Sequence, residues 1–206
     1  MHSSIFIRRP PLGHTFRRRR RRSAARPVAC GPALVPSGLV SPTRPRPLTP
    51  GAALGFLLEG HRRFADGSPL GRFRTPAHLA ALSDEQHPWV AILGCADSRV
   101  PPEILFDLGL GDAFTVRVAG NVASAEQIAS LEYAVDILDV PLIVILGHSG
   151  CGAVEAALSG MAAPGSLPAL LEHVLPGPRA RDLDEAVAAN VEHQLRHLVE
   201  ESPVVQ

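Results

Sequence analysis

Two short apolar runs stand out along the chain, residues 89–94 (WVAILG) and 142–147 (LIVILG). Bounded by Pro and Gly and broken by no polar residue, they predict strands buried on both faces. Residues 113–118 (AFTVRV) predict a third strand. Elsewhere the period changes. Leu54, Leu57, Leu58, His61 and Phe64 fall near helical spacing between Pro50 and Gly67, which predicts an amphipathic helix with the proline at its start and the glycine at its end. A second helix is predicted over 124–138 through Ile128, Leu131, Tyr133, Val135 and Leu138, and others over about 150–158 and 182–200, the last with the mixed charges of a solvated face. The Pro- and Gly-rich stretch 160–178 reads as a loop. Strands alternating with helices imply an α/β fold, a central and mostly parallel sheet with right-handed crossovers and helices on its flanks.

Charge divides the chain in two. It is neutral overall, yet eleven of its twenty basic residues, all arginines, lie in the first 50 positions, where there is no acid. That head also holds nine prolines, a composition that resists helix and sheet, so residues 1–50 are expected to be a disordered extension and 51–206 the catalytic domain. An arginine run can bind nucleic acid or anionic lipid by charge alone. No aromatic interleaving accompanies it, and neither nucleic acid nor membrane is expected as a partner. No stretch approaches the roughly 20 apolar residues that cross a bilayer, and the prolines leave no apolar core for an export signal. Three widely spaced cysteines (Cys30, Cys95, Cys151) suit metal binding rather than disulfide stapling and point to a reducing, cytoplasmic setting.

The candidate chemistry follows the strands. Cys95 and His148 each come directly after a buried run and a glycine, so both emerge at the carboxyl edge of a parallel sheet, where open α/β folds place their sites. Cys151 follows His148 by three residues, and a helix opening at Gly150 would put imidazole and thiolate on one turn. Two thiolates and an imidazole suit zinc, and three protein ligands leave a fourth position for water. Such a zinc is already neutralised and polarises water weakly, so a nearby group must help remove the proton. Asp97, two residues after Cys95, can accept from that water or take the open position itself. Arg99 can hold the carboxylate off the metal through a bidentate pair.

These residues carry a resemblance. CADSRVPPE at 95–103, followed by HSGCGAV at 148–154, resembles the β-class carbonic anhydrases, and the likeness covers about residues 51–206. It implies reversible hydration of carbon dioxide to bicarbonate by attack of zinc-bound hydroxide. Cys95, His148 and Cys151 become the ligands of one zinc ion, and Asp97 with Arg99 the catalytic dyad. A closed state with Asp97 as fourth ligand is also implied. By the same resemblance Gln86 orients substrate across a subunit interface, Phe114 and Tyr133 take aromatic pocket positions, and Ala119, Gly120 and Asn121 lie nearby. A homodimer or higher homo-oligomer is implied as well. The family's final edge strand has no counterpart before Gln206, so the catalytic domain is expected to be incomplete at its C-terminus, and an authentic end at Gln206 would leave a strand edge open. The loop at 160–178 is expected to lie away from the metal. Two other functions fit parts of the same pattern: a relative acting on carbon disulfide or carbonyl sulfide, and a non-catalytic zinc or nucleic-acid-binding protein. The second would need a fourth ligand, and Cys30 sits in the head.

Overall fold

The computed structural model describes residues 46–174 and 180–206 and the backbone of residues 5–8. In chain order the elements are strand β1 (Ile5–Arg8), helices α1 (Pro50–Ala65) and α2 (Pro76–Ala81), strand β2 (Val90–Gly94), helix α3 (Pro102–Leu105) and strand β3 (Ala113–Arg117). A 3₁₀ turn over Ala119–Asn121 follows, then α4 (Ala125–Asp136), β4 (Ile143–Leu146), α5 (Gly152–Ser159), α6 (Leu167–Leu171) and α7 (Leu183–Glu201). The strands form one sheet in the order β1-β4-β2-β3. The central strands β4 and β2 and the edge strand β3 run parallel.

The predicted elements form where their residues dictate. Thr49 caps α1, its hydroxyl accepting from Ala52 N at 3.3 Å, with Pro50 in the first turn. Asp182 caps α7 by accepting from Glu185 N at 2.9 Å. β2 and β4 are buried along their whole length, as their unbroken apolar runs require. Their side chains alternate between two cores. Val90, Ile92, Val144 and Leu146 pack with Leu57 of α1, Leu105 of α3 and Val154 of α5. Ala91, Leu93, Ile143 and Ile145 pack with Ile128 and Leu131 of α4 and Val191 and Leu198 of α7. Helices therefore cover both faces, as in a doubly wound α/β protein. Gly147 lets α7 cross the end of β4, since a Cβ there would sit 2.5 Å from Val191 Cγ2.

Three expectations change. Residues 5–8 do not belong to a structureless head: they pair antiparallel with β4, Ile5 opposite Leu146 through Arg8 opposite Ile143. The run Ile5-Phe6-Ile7 has high strand propensity, and the edge of β4 offers it unpaired backbone groups. The edge beside β4 is thus covered rather than open. The rest of residues 1–45, Cys30 among them, lies outside the described residues. Residues 160–174 are not a plain loop, because α6 lies within them; Pro168 sits in its first turn. Finally, α5 starts at Gly152, so His148 and Cys151 precede the helix and do not share one of its turns. Gly150, with φ of 67°, breaks the helical path between them. No helix among the described residues is long and apolar enough to cross a membrane.

Candidate metal centre

The site is built by the ends of two neighbouring parallel strands. Gly94 of β2 pairs in register with Leu146 of β4, so the residues that follow, Cys95 and the 147–151 loop, leave the sheet side by side. Cys151 closes the group as the N-cap residue of α5, where the helix dipole favours a negative sulfur. The two sulfurs lie 3.9 Å apart. Together with a His148 nitrogen, they fall within 4.8 Å of one another, and all three residues are buried.

The histidine has one ring nitrogen satisfied and one free. Its Nδ1 lies 3.0 Å from the Ser149 carbonyl, which can only accept, so Nδ1 carries the proton. Nε2 is then a bare acceptor, buried and without a hydrogen-bond partner. A buried orphan nitrogen beside two sulfurs is costly unless something occupies the space between them. The sulfurs share the same tension. Donation from the Cys151 thiol pulls the Cys95 thiol well down against burial, and the Cys151 thiol is pushed up in turn. Cys95 beside the imidazole raises its proton affinity, while burial opposes that. A divalent cation resolves all three at once.

The carboxylate stands next to this group. Asp97 Oδ2 is 4.0 Å from His148 Nε2. Arg99 holds it with three donors: its backbone N and Nε reach Oδ1 at 2.9 and 3.0 Å, and Nη2 reaches Oδ2 at 2.8 Å. The same Nη2 donates to the Gly150 carbonyl at 3.0 Å, tying the dyad to the histidine loop. The Arg99 side chain and then its backbone N–H hold the Asp97 carboxyl well below the usual range, and Arg99 is raised in return. Asp97 is therefore ionised at any ordinary pH.

The remaining expected residues are spread more widely. Ala119 and Gly120 form the 3₁₀ turn after β3, with Gly120 at φ of 71°. Phe114 and Tyr133 face each other with ring centroids 6.1 Å apart, on the side of the sheet covered by α4. Gln86 is exposed on the segment before β2. The 160–174 segment returns closer to the centre than expected: Val174 is buried in the core that also holds Cys95 and Cys151, and a Cβ at Gly120 would lie 3.0 Å from its Cγ2. Burial of Val174 draws it there, at the far side of α6.

Three further polar residues hold the main chain around the site. Arg117 Nε donates to the Cys95 carbonyl at 2.9 Å, and its Nη2 to the Asp97 carbonyl at 2.6 Å. On α7, the buried amides Asn190 and Gln194 serve the loop after β3. Asn190 Nδ2 donates to the Gly120 carbonyl at 2.9 Å, and Gln194 Oε1 accepts from Ala123 N at 2.8 Å. Gln194 Nε2 donates to His173 O at 2.7 Å, bringing the end of α6 to the same place. Their signal lay in position: 190 and 194 continue the apolar stripe of Val187, Val191 and Leu198.

Three buried cysteine and histidine side chains that could hold a metal ion meet at the carboxyl edge of an open parallel sheet, with an arginine-held carboxylate beside them, and make this an α/β protein with a candidate metal centre. A family model described as carbonic anhydrase matches residues 90–206. Carbonic anhydrase 2 of Mycobacterium tuberculosis is 48% identical over 142 residues, covering 69% of this chain and 64% of the relative. The carbonic anhydrase of Mycolicibacterium smegmatis is 45% identical over 142 residues, 69% of this chain and 65% of its own length. The chain thus spans slightly less than two thirds of the length of these relatives. Among solved structures, a Coccomyxa β-carbonic anhydrase in complex with acetazolamide superposes with a TM-score of 0.53 at 30% identity, over 74% of either chain. A tetrameric β-carbonic anhydrase of Sordaria macrospora gives 0.53 at 26% identity, over 75% of this chain and 84% of that one. The chain belongs to the β-carbonic anhydrase family.

Proposed function

We propose that the chain is a zinc-dependent carbonic anhydrase that interconverts carbon dioxide and bicarbonate with release of a proton. The observation that carries this reading is the convergence of Cys95, His148 and Cys151 within 4.8 Å of one another. The donors fit zinc: two thiols, a buried Nε2 with no partner and, among the described residues, no fourth cysteine or histidine in the group. Bound there, zinc supplies Lewis-acid activation of a water for attack on carbon dioxide.

The chain's own residues divide the rest of the work. Cys95 and Cys151 bind as thiolates and balance the charge of the ion, which leaves the proton harder to remove and gives Asp97 its task. Asp97 orients the attacking water by accepting its hydrogen bond at Oδ2, the oxygen that faces His148. Arg99 keeps that carboxylate ionised and turned to one side; freed from Arg99, Asp97 could take the fourth ligand position and close the site. Ala119 and Gly120 line the pocket for a small apolar substrate, together with Phe114 and Tyr133, and Gln86 of a second copy orients it. The tetrameric Sordaria relative supports a homo-oligomer. Residues 51–206 act as the catalytic domain, in the cytoplasm.

Carbon dioxide hydration by the zinc-loaded chain tests the reading. Acceleration that a chelator abolishes and added zinc restores is the expected result. Hydration no faster than in buffer contradicts it, and turnover of carbonyl sulfide or carbon disulfide in its place reassigns the substrate.

A further inference from the structure

Arg117 closes the edge strand β3 and is exposed, the position of an ordinary solvated arginine. Its donors are nevertheless spent on the main chain. Beyond the last ladder bonds of β2 and β3, where Val118 N reaches Gly94 O at 3.2 Å and Ala96 N reaches Val118 O at 3.1 Å, the chain turns to deliver Asp97. The Arg117 guanidinium spans that turn. It grips the Cys95 carbonyl through Nε at 2.9 Å and the Asp97 carbonyl through Nη2 at 2.6 Å.

We propose that Arg117 is a positioning residue, whose two-point grip on the main chain fixes the Cys95 sulfur and the Asp97 carboxylate relative to one another. The inference rests on the zinc reading of the site. The two carbonyls belong to the residue that supplies a sulfur ligand and the residue that accepts the water's hydrogen bond. Their separation is set by a planar fork that no lysine reproduces. Arg99 cannot do this job, because it holds the carboxylate itself and the Gly150 carbonyl. The 95–97 turn is thus clamped between two guanidiniums, one on its side chain and one on its backbone. Among the described residues Arg117 pairs with no carboxylate, so it steadies Asp97 without competing for the lone pairs that face the metal position.

The grip acts on the metal through Cys95, as outer-shell contacts to ligands do, with effects of roughly 10–100-fold on affinity or activity. Arg117→Met removes both donors and Arg117→Lys leaves one. Zinc-loaded wild type and variants are compared for zinc transfer to a chromophoric chelator, for kcat and KM in hydration, and, after cobalt substitution, for the thiolate-to-cobalt absorption. Arg117→Met is expected to release zinc about 10-fold faster or more, to lose a comparable factor in kcat with KM little changed, and to shift the cobalt band. Arg117→Lys should fall between it and wild type. A folded Arg117→Met chain with wild-type zinc release and cobalt absorption overturns the proposal. If Arg117→Met does not fold, wild-type release and kcat in Arg117→Lys overturn it equally. A wild type that takes up no zinc overturns the parent reading as well; active wild type with unaltered variants overturns this inference alone.

Discussion

Asp97 and Asp107 are both carboxylates gripped by arginine, and they serve opposite ends. Asp107 is sealed in, its side chain 1% exposed, and every direction around it is taken. Oδ2 accepts from Arg63 Nε at 2.7 Å and Leu70 N at 2.9 Å, Oδ1 accepts from Gly71 N at 2.9 Å, and Arg74 stands 3.5 Å away. Asp97 is 21% exposed, held by Arg99 alone, and turns Oδ2 toward His148 Nε2. An arginine partner therefore does not mark a working carboxylate. What marks it is an oxygen turned toward the unpartnered His148 nitrogen of the candidate metal group, and Asp97 has one where Asp107 has none.

Substitution at the two positions should separate activity from stability. Asp97→Asn keeps the shape and the zinc ligands, so hydration should fall by roughly 10²–10⁴-fold while the unfolding midpoint stays close to wild type. Turnover unchanged at full zinc occupancy would remove Asp97 from the chemistry. Asp107→Asn should do the reverse. It leaves Arg63 facing an uncharged partner in a buried setting, which costs about 3 kcal/mol in urea unfolding, and activity per folded chain should persist. An Asp107→Asn chain as stable as wild type would mean that the grip is idle.

The pH dependence sharpens the same contrast. Burial pushes the Asp107 carboxyl up, but Arg63 and the N–H groups of Leu70 and Gly71 outweigh it and hold it at about 2. The unfolded chain titrates this group at about 3.9. A folded pKa below the unfolded one gives stability that is present above about pH 4 and lost as pH falls toward 2. The stability difference between wild type and Asp107→Asn should accordingly shrink across that window. A difference constant from pH 5 to pH 2 would exclude charge as its origin.

The parts of this protein legible in its sequence are those with a local cause. Residues 89–94 and 142–147 read as buried strands because nothing polar interrupts them, and Pro50 announced α1. Cys95, Asp97, Arg99, His148 and Cys151 were legible because each follows a strand end within a few residues. Arg117, Asn190 and Gln194 were not, since their partners are far away in the chain: Gly120 lies 70 residues from Asn190, and Ala123 71 from Gln194. The same holds for β1, whose four residues acquire their role only by meeting β4. The short helices α2 and α3 were missed because helices of six and four residues carry too few turns to show a period. Expecting His148 and Cys151 on one helical turn failed at Gly150, a residue whose left-handed backbone only the fold requires.

The central claim is the ligand set, and zinc content tests it most directly. Metal analysis of the purified full chain and of Cys151→Ser, each after incubation with zinc and removal of the excess, should find one zinc per wild-type chain and essentially none in the variant. Full occupancy in Cys151→Ser, or a wild type that holds no zinc, would contradict the assignment of Cys95, His148 and Cys151 as the metal ligands.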